Sequence, residues 1–261
     1  MARLCPLFSG SSGNSTYLST PAGAILIDAG VTYKRLLAAI ESAGGADALC
    51  AVAVTHTHVD HIRGLKLLVK NHSIPLIASA QTIEALTQGE ILPPGARLIA
   101  ADKQPIAVGD FSVQRIPTSH DSPGSSGYVV TLEDGRRVAV CTDLGIVTNE
   151  VRSALSGCEA VLLESNHDVT MLKNGPYPPQ TKQRILSDHG HLSNVACAAE
   201  LPELLRHGAK RFVLGHLSRH NNLPMLARSA AKASLMDIGA EEERDYLLTV
   251  AAPEGNGVLP F

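Results

Sequence analysis

The sequence predicts an α/β chain in which two β-sheets pack face to face with helices on the outside. Three observations point there. Short apolar runs recur along the chain and are closed by Gly, Pro or Asp. Helical patterns fall between them. The order strands, helices, strands of the first half is loosely repeated in the second. With 44% hydrophobic and 18% charged residues over 261 positions the chain can bury a core, and we expect one domain over residues 1–261.

The expected strands, in order, cover 4–8, 16–19, 24–28, 51–55, 76–78, 111–116, 128–132, 138–142, 160–164, 212–215 and 246–251. Each is short, apolar or β-branched, and bounded by turn residues. Glu133-Asp134-Gly135-Arg136 places Asp-Gly between two such runs and predicts a hairpin. Helices are expected over 33–42, 62–71, 82–87, 149–155, 180–187, 194–207 and 224–236. Ser193 suits the N-cap of the helix over 194–207 and Gly208 its stop, while Leu201-Pro202 predicts a kink or break inside it.

Charge and composition narrow the function. A net charge of −3 leaves no basic footprint, which disfavours gripping long duplex DNA by phosphate neutralisation alone. No apolar run approaches the roughly 20 residues that cross a bilayer, so no membrane partner is expected. Met1-Ala2-Arg3-Leu4-Cys5-Pro6 has no apolar leader core. The five cysteines are scattered without CxxC spacing and read as reduced thiols, so a cytoplasmic protein is expected. Eleven histidines in so cysteine-poor a chain favour a His/Asp metal site.

The strongest local pattern is Thr55-His56-Thr57-His58-Val59-Asp60-His61, four ligand-type side chains within six residues directly after an apolar strand. Two histidines at i and i+2 of an extended turn can point the same way, and an Asp-His pair opening the next helix can face the same cavity. An exposed polar loop rarely carries such a set.

This HxHxDH pattern resembles the central motif of the metallo-β-lactamase superfamily. The resemblance implies an αββα sandwich of two mixed sheets flanked by helices, with further ligands at later strand ends. His120, Asp143, His216 and Asp28 each close an apolar run. By the resemblance, His56, His58 and His120 hold one metal, Asp60, His61 and His216 hold a second, and Asp143 bridges them. Asp60 also counts as a catalytic carboxylate, and Asp28 orients a ligand from behind. The cofactors implied are two divalent transition-metal ions, zinc or manganese with iron also admissible, sharing a hydroxide that attacks the substrate.

Ser11-Ser12-Gly13-Asn14-Ser15, Glu164-Ser165-Asn166-His167-Asp168, Gly190-His191-Leu192-Ser193-Asn194 and Gly215-His216-Leu217-Ser218 resemble stretches of the YycJ/WalJ group of single-domain exonucleases. The resemblance implies 5′→3′ exonuclease action on DNA ends. On this reading Ser11, Ser12, Asn14, Asn166, His167 and Asn194 donate to substrate phosphate. His191, which also lies in a stretch resembling ribonuclease Z, is the general acid, with His167 its rival. A low aromatic content, 3% without Trp, favours contact with one or two nucleotides over a long stacking platform. The alternatives are hydrolysis of a small ester, thioester or cyclic phosphodiester, and a non-enzymatic metal-stabilised interaction module. Oligomeric state is not legible.

Overall fold

The computed structural model describes residues 1–102, 104–255 and 259–261. The first sheet holds β1 (Arg3–Phe8), β2 (Ser15–Thr20), β3 (Gly23–Ile27), β4 (Leu49–Ala53), β5 (Leu76–Ala78) and β6 (Leu98–Ala100). The second holds β7 (Ile106–Val108), β8 (Phe111–Pro117), β9 (Ser126–Leu132), β10 (Arg137–Cys141), β11 (Ala160–Glu164), β12 (Arg211–Gly215) and β13 (Leu247–Val250). Strand β14 (Leu259–Pro260) returns to the first sheet beside β1. The strand orders are 14-1-2-3-4-5-6 and 13-12-11-10-9-8-7.

Each sheet is antiparallel through one half and parallel through the other: β3–β6 run parallel, as do β10–β13. Parallel strands need crossover helices, and these cover the outer faces. On the first sheet lie α1 (Tyr33–Ala43), α2 (Val59–Ile62), α3 (Leu65–His72) and α4 (Ala80–Gln88). The later helices are α5 (Asn149–Leu155), α6 (Val169–Asn174), α7 (Pro179–Ile185), α8 (Asn194–Arg206) and α9 (Pro224–Met236).

Alternating residues along a strand face opposite layers. In β3, Ile25 and Ile27 enter the core between the sheets, with Leu4, Ala53, Tyr128, Val130, Val140, Leu162 and Val213. Ala24 and Leu26 face α1 and α3, against Leu36, Ile40, Leu65 and Leu68. The outer face of the second sheet packs on α5, α8 and α9 through Val151, Leu155, Leu201, Leu204, Ala227 and Leu235. Four layers result, helix–sheet–sheet–helix, the expected αββα sandwich.

The expected hairpin forms, with Gly135 at φ +84° and its N–H donating to the Leu132 carbonyl. Ser193 caps α8, accepting from the Ala196 N–H. The break at Pro202 does not occur. Helix α8 runs through it, because Leu201 and Leu204 are buried on either side and their packing outweighs the lost hydrogen bond. The single helix expected over 62–71 is two, α2 and α3, meeting at Gly64, where a Cβ would stand 2.5 Å from the Val31 carbonyl oxygen. Strands β6, β7 and β14 and helix α6 were not expected; each is too short for periodicity to register. Among the described residues no helix is long and apolar enough to cross a membrane.

Candidate metal centre

The parallel strands β3, β4, β10, β11 and β12 deliver Asp28, His56, Asp143, Glu164 and His216 to one end of the sandwich, where open α/β sheets place their crevices. Three of these residues lie in the left-handed region, Asp28 at φ +63°, Asp143 at +60° and His216 at +54°. Such a conformation is unfavourable for any residue but glycine, least so for Asp. The retained side chains therefore point to a role at those positions.

The loop between β4 and α2 presents His56, His58, Asp60 and His61 together. His56, His58 and His120 offer ligand atoms within 4.8 Å of one another, as do Asp60, His61 and His216. Asp143 stands between the two triplets. Its Oδ1 lies 3.8 Å from His120 Nε2, and its Oδ2 lies 3.3 Å from His61 Nε2 and 2.9 Å from His216 Nδ1. Oδ2 is fully buried yet accepts no hydrogen bond, the His216 nitrogen being out of line for one.

The outer nitrogens of three imidazoles are held from behind. His61 Nδ1 donates to Asp28 Oδ2 at 2.7 Å, His120 Nδ1 to the Gly190 carbonyl at 3.0 Å, and His56 Nδ1 to Thr55 Oγ1 at 3.0 Å. Thr55 in turn donates its hydroxyl and its backbone N–H to Asp28, each at 2.8 Å. These bonds leave each Nε2 turned inward, where it offers a lone pair once any second proton has gone. Inward lone pairs and a carboxylate oxygen without a donor are the chemistry of a divalent-cation site, and the residues present fit one.

Electrostatics agree. Burial alone would raise the Asp143 pKa, but the facing His216 and His61 hold it well below the usual carboxylate range. Burial would strip His61 of its proton, yet Asp143 and Asp28 lift its pKa to about 9. His216 is raised likewise by Asp143 and Glu164 against its burial. His56, buried and beside His61, is pushed well down. Protons thus balance part of the carboxylate charge, and bound cations would displace them.

The sequence reading missed Glu164. It is wholly buried, and Oε2 accepts the N–H groups of Leu144 at 3.1 Å and Leu192 at 3.0 Å. Oε1 accepts from His191 Nδ1 at 2.8 Å. Burial opposes its charge, but His191 and the neighbouring His216 bring its pKa down to about 2. His191 is raised in return by Glu164. Its ring centroid lies 5.0 Å from that of His120 and 5.4 Å from that of His216, between the triplets. The available clue was a lone acid at the end of β11. Asp121, also missed, lies 3.3 Å from His120 Nε2 and pairs with Arg184 at 2.6 Å across the mouth.

The residues expected to donate to phosphate divide. Ser11 and Ser12 are exposed on an adjacent groove. Asn14 is buried: its Oδ1 accepts from Gly10 N, and its Nδ2 lies 3.0 Å from His61 Nε2. It is zipped to Asp60 through Gly30, where a Cβ would fall 1.7 Å from the Asp60 carbonyl oxygen. Asn166 and Asn194 are not presented to the crevice. Asn166 donates to the His216 carbonyl at 2.9 Å. Asn194 exchanges hydrogen bonds with Asn222 at 2.8 and 2.9 Å and accepts from Ser165 at 2.7 Å. Buried amides here satisfy backbone and one another, so the loops after β11 and β12 are tied together. His167 is 1% exposed, neither ring nitrogen has a protein partner, and burial pushes its pKa down to about 4. Burial thus favours its neutral ring.

Residues 24–217 match the family described as the beta-lactamase superfamily domain. The chain is 34% identical over 236 residues to exodeoxyribonuclease YycJ of Bacillus anthracis, covering 89% of each. It is also 34% identical over 225 residues to exodeoxyribonuclease WalJ of Streptococcus pneumoniae, covering 85% of this chain and 83% of that protein. Among solved structures, the metallo-β-lactamase fold protein YhfI of Bacillus subtilis superposes with a TM-score of 0.73 at 19% identity over 99% of both chains. The short form of human tRNase Z superposes at 0.65 and 17% identity, over 99% of this chain and 98% of that one. At these identities the structures speak for the fold alone.

Proposed function

Because the chain belongs to the beta-lactamase superfamily and is a metal-dependent hydrolase, we propose that it is a phosphodiesterase of the exonuclease kind, working on DNA ends from the 5′ side in the cytoplasm. The observation that carries this reading is the Glu164–His191 pair set beside a triplet of histidines and an Asp-His-His triplet, with Asp143 between them. The names of the relatives above support DNA as the substrate. The sheets' common core supports residues 1–261 working as one domain.

His56, His58 and His120 would hold one divalent ion, zinc, manganese or iron, and Asp60, His61 and His216 a second, with Asp143 common to both. Such ions supply Lewis acidity and a bound water acidified toward neutrality. The chain's own residues do the rest. Asp28, Thr55 and the Gly190 carbonyl keep three imidazoles in the tautomer that offers Nε2 inward. Asp60, on the open side of the site, is placed to accept a proton from the attacking water. His191, held by Glu164 at Nδ1, keeps Nε2 to protonate the leaving oxygen, whose alkoxide is otherwise a poor leaving group.

End-labelled single- and double-stranded oligonucleotides, incubated with the protein and Mn²⁺ or Zn²⁺, test the proposal. Shortening from the 5′ end that stops with a chelator is the expected result. Intact oligonucleotides beside turnover of a thioester or a small cyclic phosphodiester would overturn it.

A further inference from the structure

A groove of about 790 Å³ opens beside the metal centre, within the range of about 300–1,000 Å³ that small-molecule sites occupy. None of the metal-site residues lines it. It begins at Ser9, whose Oγ accepts the His216 N–H at 2.7 Å, and continues past Leu217, Ser218 and Arg219. Its end at Leu217 therefore lies one residue away from a proposed metal ligand.

Three features of its wall define the occupant. The first is aromatic. The chain has four Phe and five Tyr, and all four Phe with Tyr17, Tyr128 and Tyr246 are buried. Tyr33 is tied to His72 at 3.0 Å, which leaves Tyr177 as the partly exposed ring that lines the groove. His220, on the same wall, meets it edge-on, with centroids 6.0 Å apart at 69°. An edge-on pair leaves a ring face without an aromatic neighbour, and a flat π-system fits there. The second is cationic. Arg219 is exposed and makes no ion pair or side-chain hydrogen bond among the described residues, whereas Arg35, across the groove, is neutralised by Glu254 at 3.0 Å. The third is the run of small hydroxyls, Ser11, Ser12 and Ser218, which can donate to phosphate or sugar oxygens.

We propose that this groove seats the terminal nucleotide of the strand being cut, with its base stacked on Tyr177 and its phosphate toward Arg219. The proposal rests on the phosphodiesterase reading and deepens it. A lone ring accepts one base and is indifferent to which, as an enzyme that shortens any sequence requires.

The test is equilibrium binding to the metal-loaded protein of two probes, deoxyadenosine 5′-monophosphate and deoxyribose 5-phosphate, which differ by the base alone. The nucleotide should bind roughly ten- to a hundredfold more tightly. Tyr177→Leu, which keeps apolar bulk without a π-face, should remove that gap, and Tyr177→Phe should keep it. Arg219→Ala should weaken both probes by the same factor. Equal affinity for the two probes in the wild type, no binding of either, or an equal loss on both with Tyr177→Leu, would overturn the proposal. Oligonucleotide cleavage measured alongside separates the two failures. Cutting without a base effect defeats only the groove, and absence of cutting defeats the phosphodiesterase reading.

Discussion

The site has two halves built in opposite ways. His56, His58, Asp60 and His61 come from one loop after β4, so backbone geometry over a few residues sets their spacing. Asp143, Glu164, His191 and His216 come from the ends of β10, β11 and β12 and from the start of α8, and the parallel register of three strands sets theirs. The first half can shift as a unit. The second half holds only if the sheet does, which explains its ties: Glu164 bonds two backbone N–H groups, and Asn166, Asn194 and Asn222 bind the flanking loops together. The dispersed half reaches the compact one through Asp143, whose carboxylate faces His61 as well as His216.

The comparison breaks most severely at that carboxylate. Asp143→Ala should abolish activity and release metal from both triplets, since Oδ1 and Oδ2 face different ones. Elemental analysis after gel filtration checks this, and retention of both ions would mean that the two triplets hold metal without Asp143.

Next comes His191→Ala, in the dispersed half. Oligonucleotide cleavage should fall about 10²–10⁴-fold with metal content intact. A diester with a nitrophenolate leaving group, which departs without a proton, should be far less affected. Equal losses would make His191 a positioning residue. Glu164→Gln should act in the same direction by a smaller factor, because the imidazole remains but loses its charged partner.

Asp28→Asn probes the support of the compact half. It should weaken metal affinity by about 10–100-fold, since an amide cannot accept from Thr55 and His61 as a carboxylate does. Competition with a chelator of known affinity measures it.

The last effect concerns stability and leaves the chemistry untouched. The His167 pKa of about 4 in the fold lies below its ordinary 6.5, so the fold favours the neutral ring. Its contribution is whole above pH 6.5 and is lost as the pH falls toward 4, up to about 3 kcal/mol. Urea unfolding of the wild type and of His167→Gln, followed between pH 7 and 4, should show a shallower decline for the variant. Parallel declines would remove His167 as a source of acid sensitivity.

Why one half is legible in sequence and the other is not follows from chain distance. HxHxDH can be read directly because four ligand types within six residues is itself improbable. His120, Asp143 and His216 become legible only once the family resemblance says to look at strand ends. Glu164 escaped because an acid closing an apolar strand looks like a helix-side surface residue, and only burial with three hydrogen-bonding neighbours shows otherwise. Asn166 and Asn194 show the converse, their amides being engaged within the protein. A small amide near a ligand stretch looks like a phosphate donor until its partners are known.

Local order therefore belongs to the sequence itself: the apolar runs, the turn at Asp134-Gly135, the Ser193 cap and the clustered histidines all act over a few residues. The tertiary structure alone decided that Pro202 would not break α8, that Glu164 would take hold of His191, and that Tyr177 would stand on a groove beside His216. Each of these depends on what packs against the residue from a distant part of the chain. Burial and hydrogen-bond partners across the layers of a sandwich are properties of the assembled sheets, and residue type with spacing does not carry them.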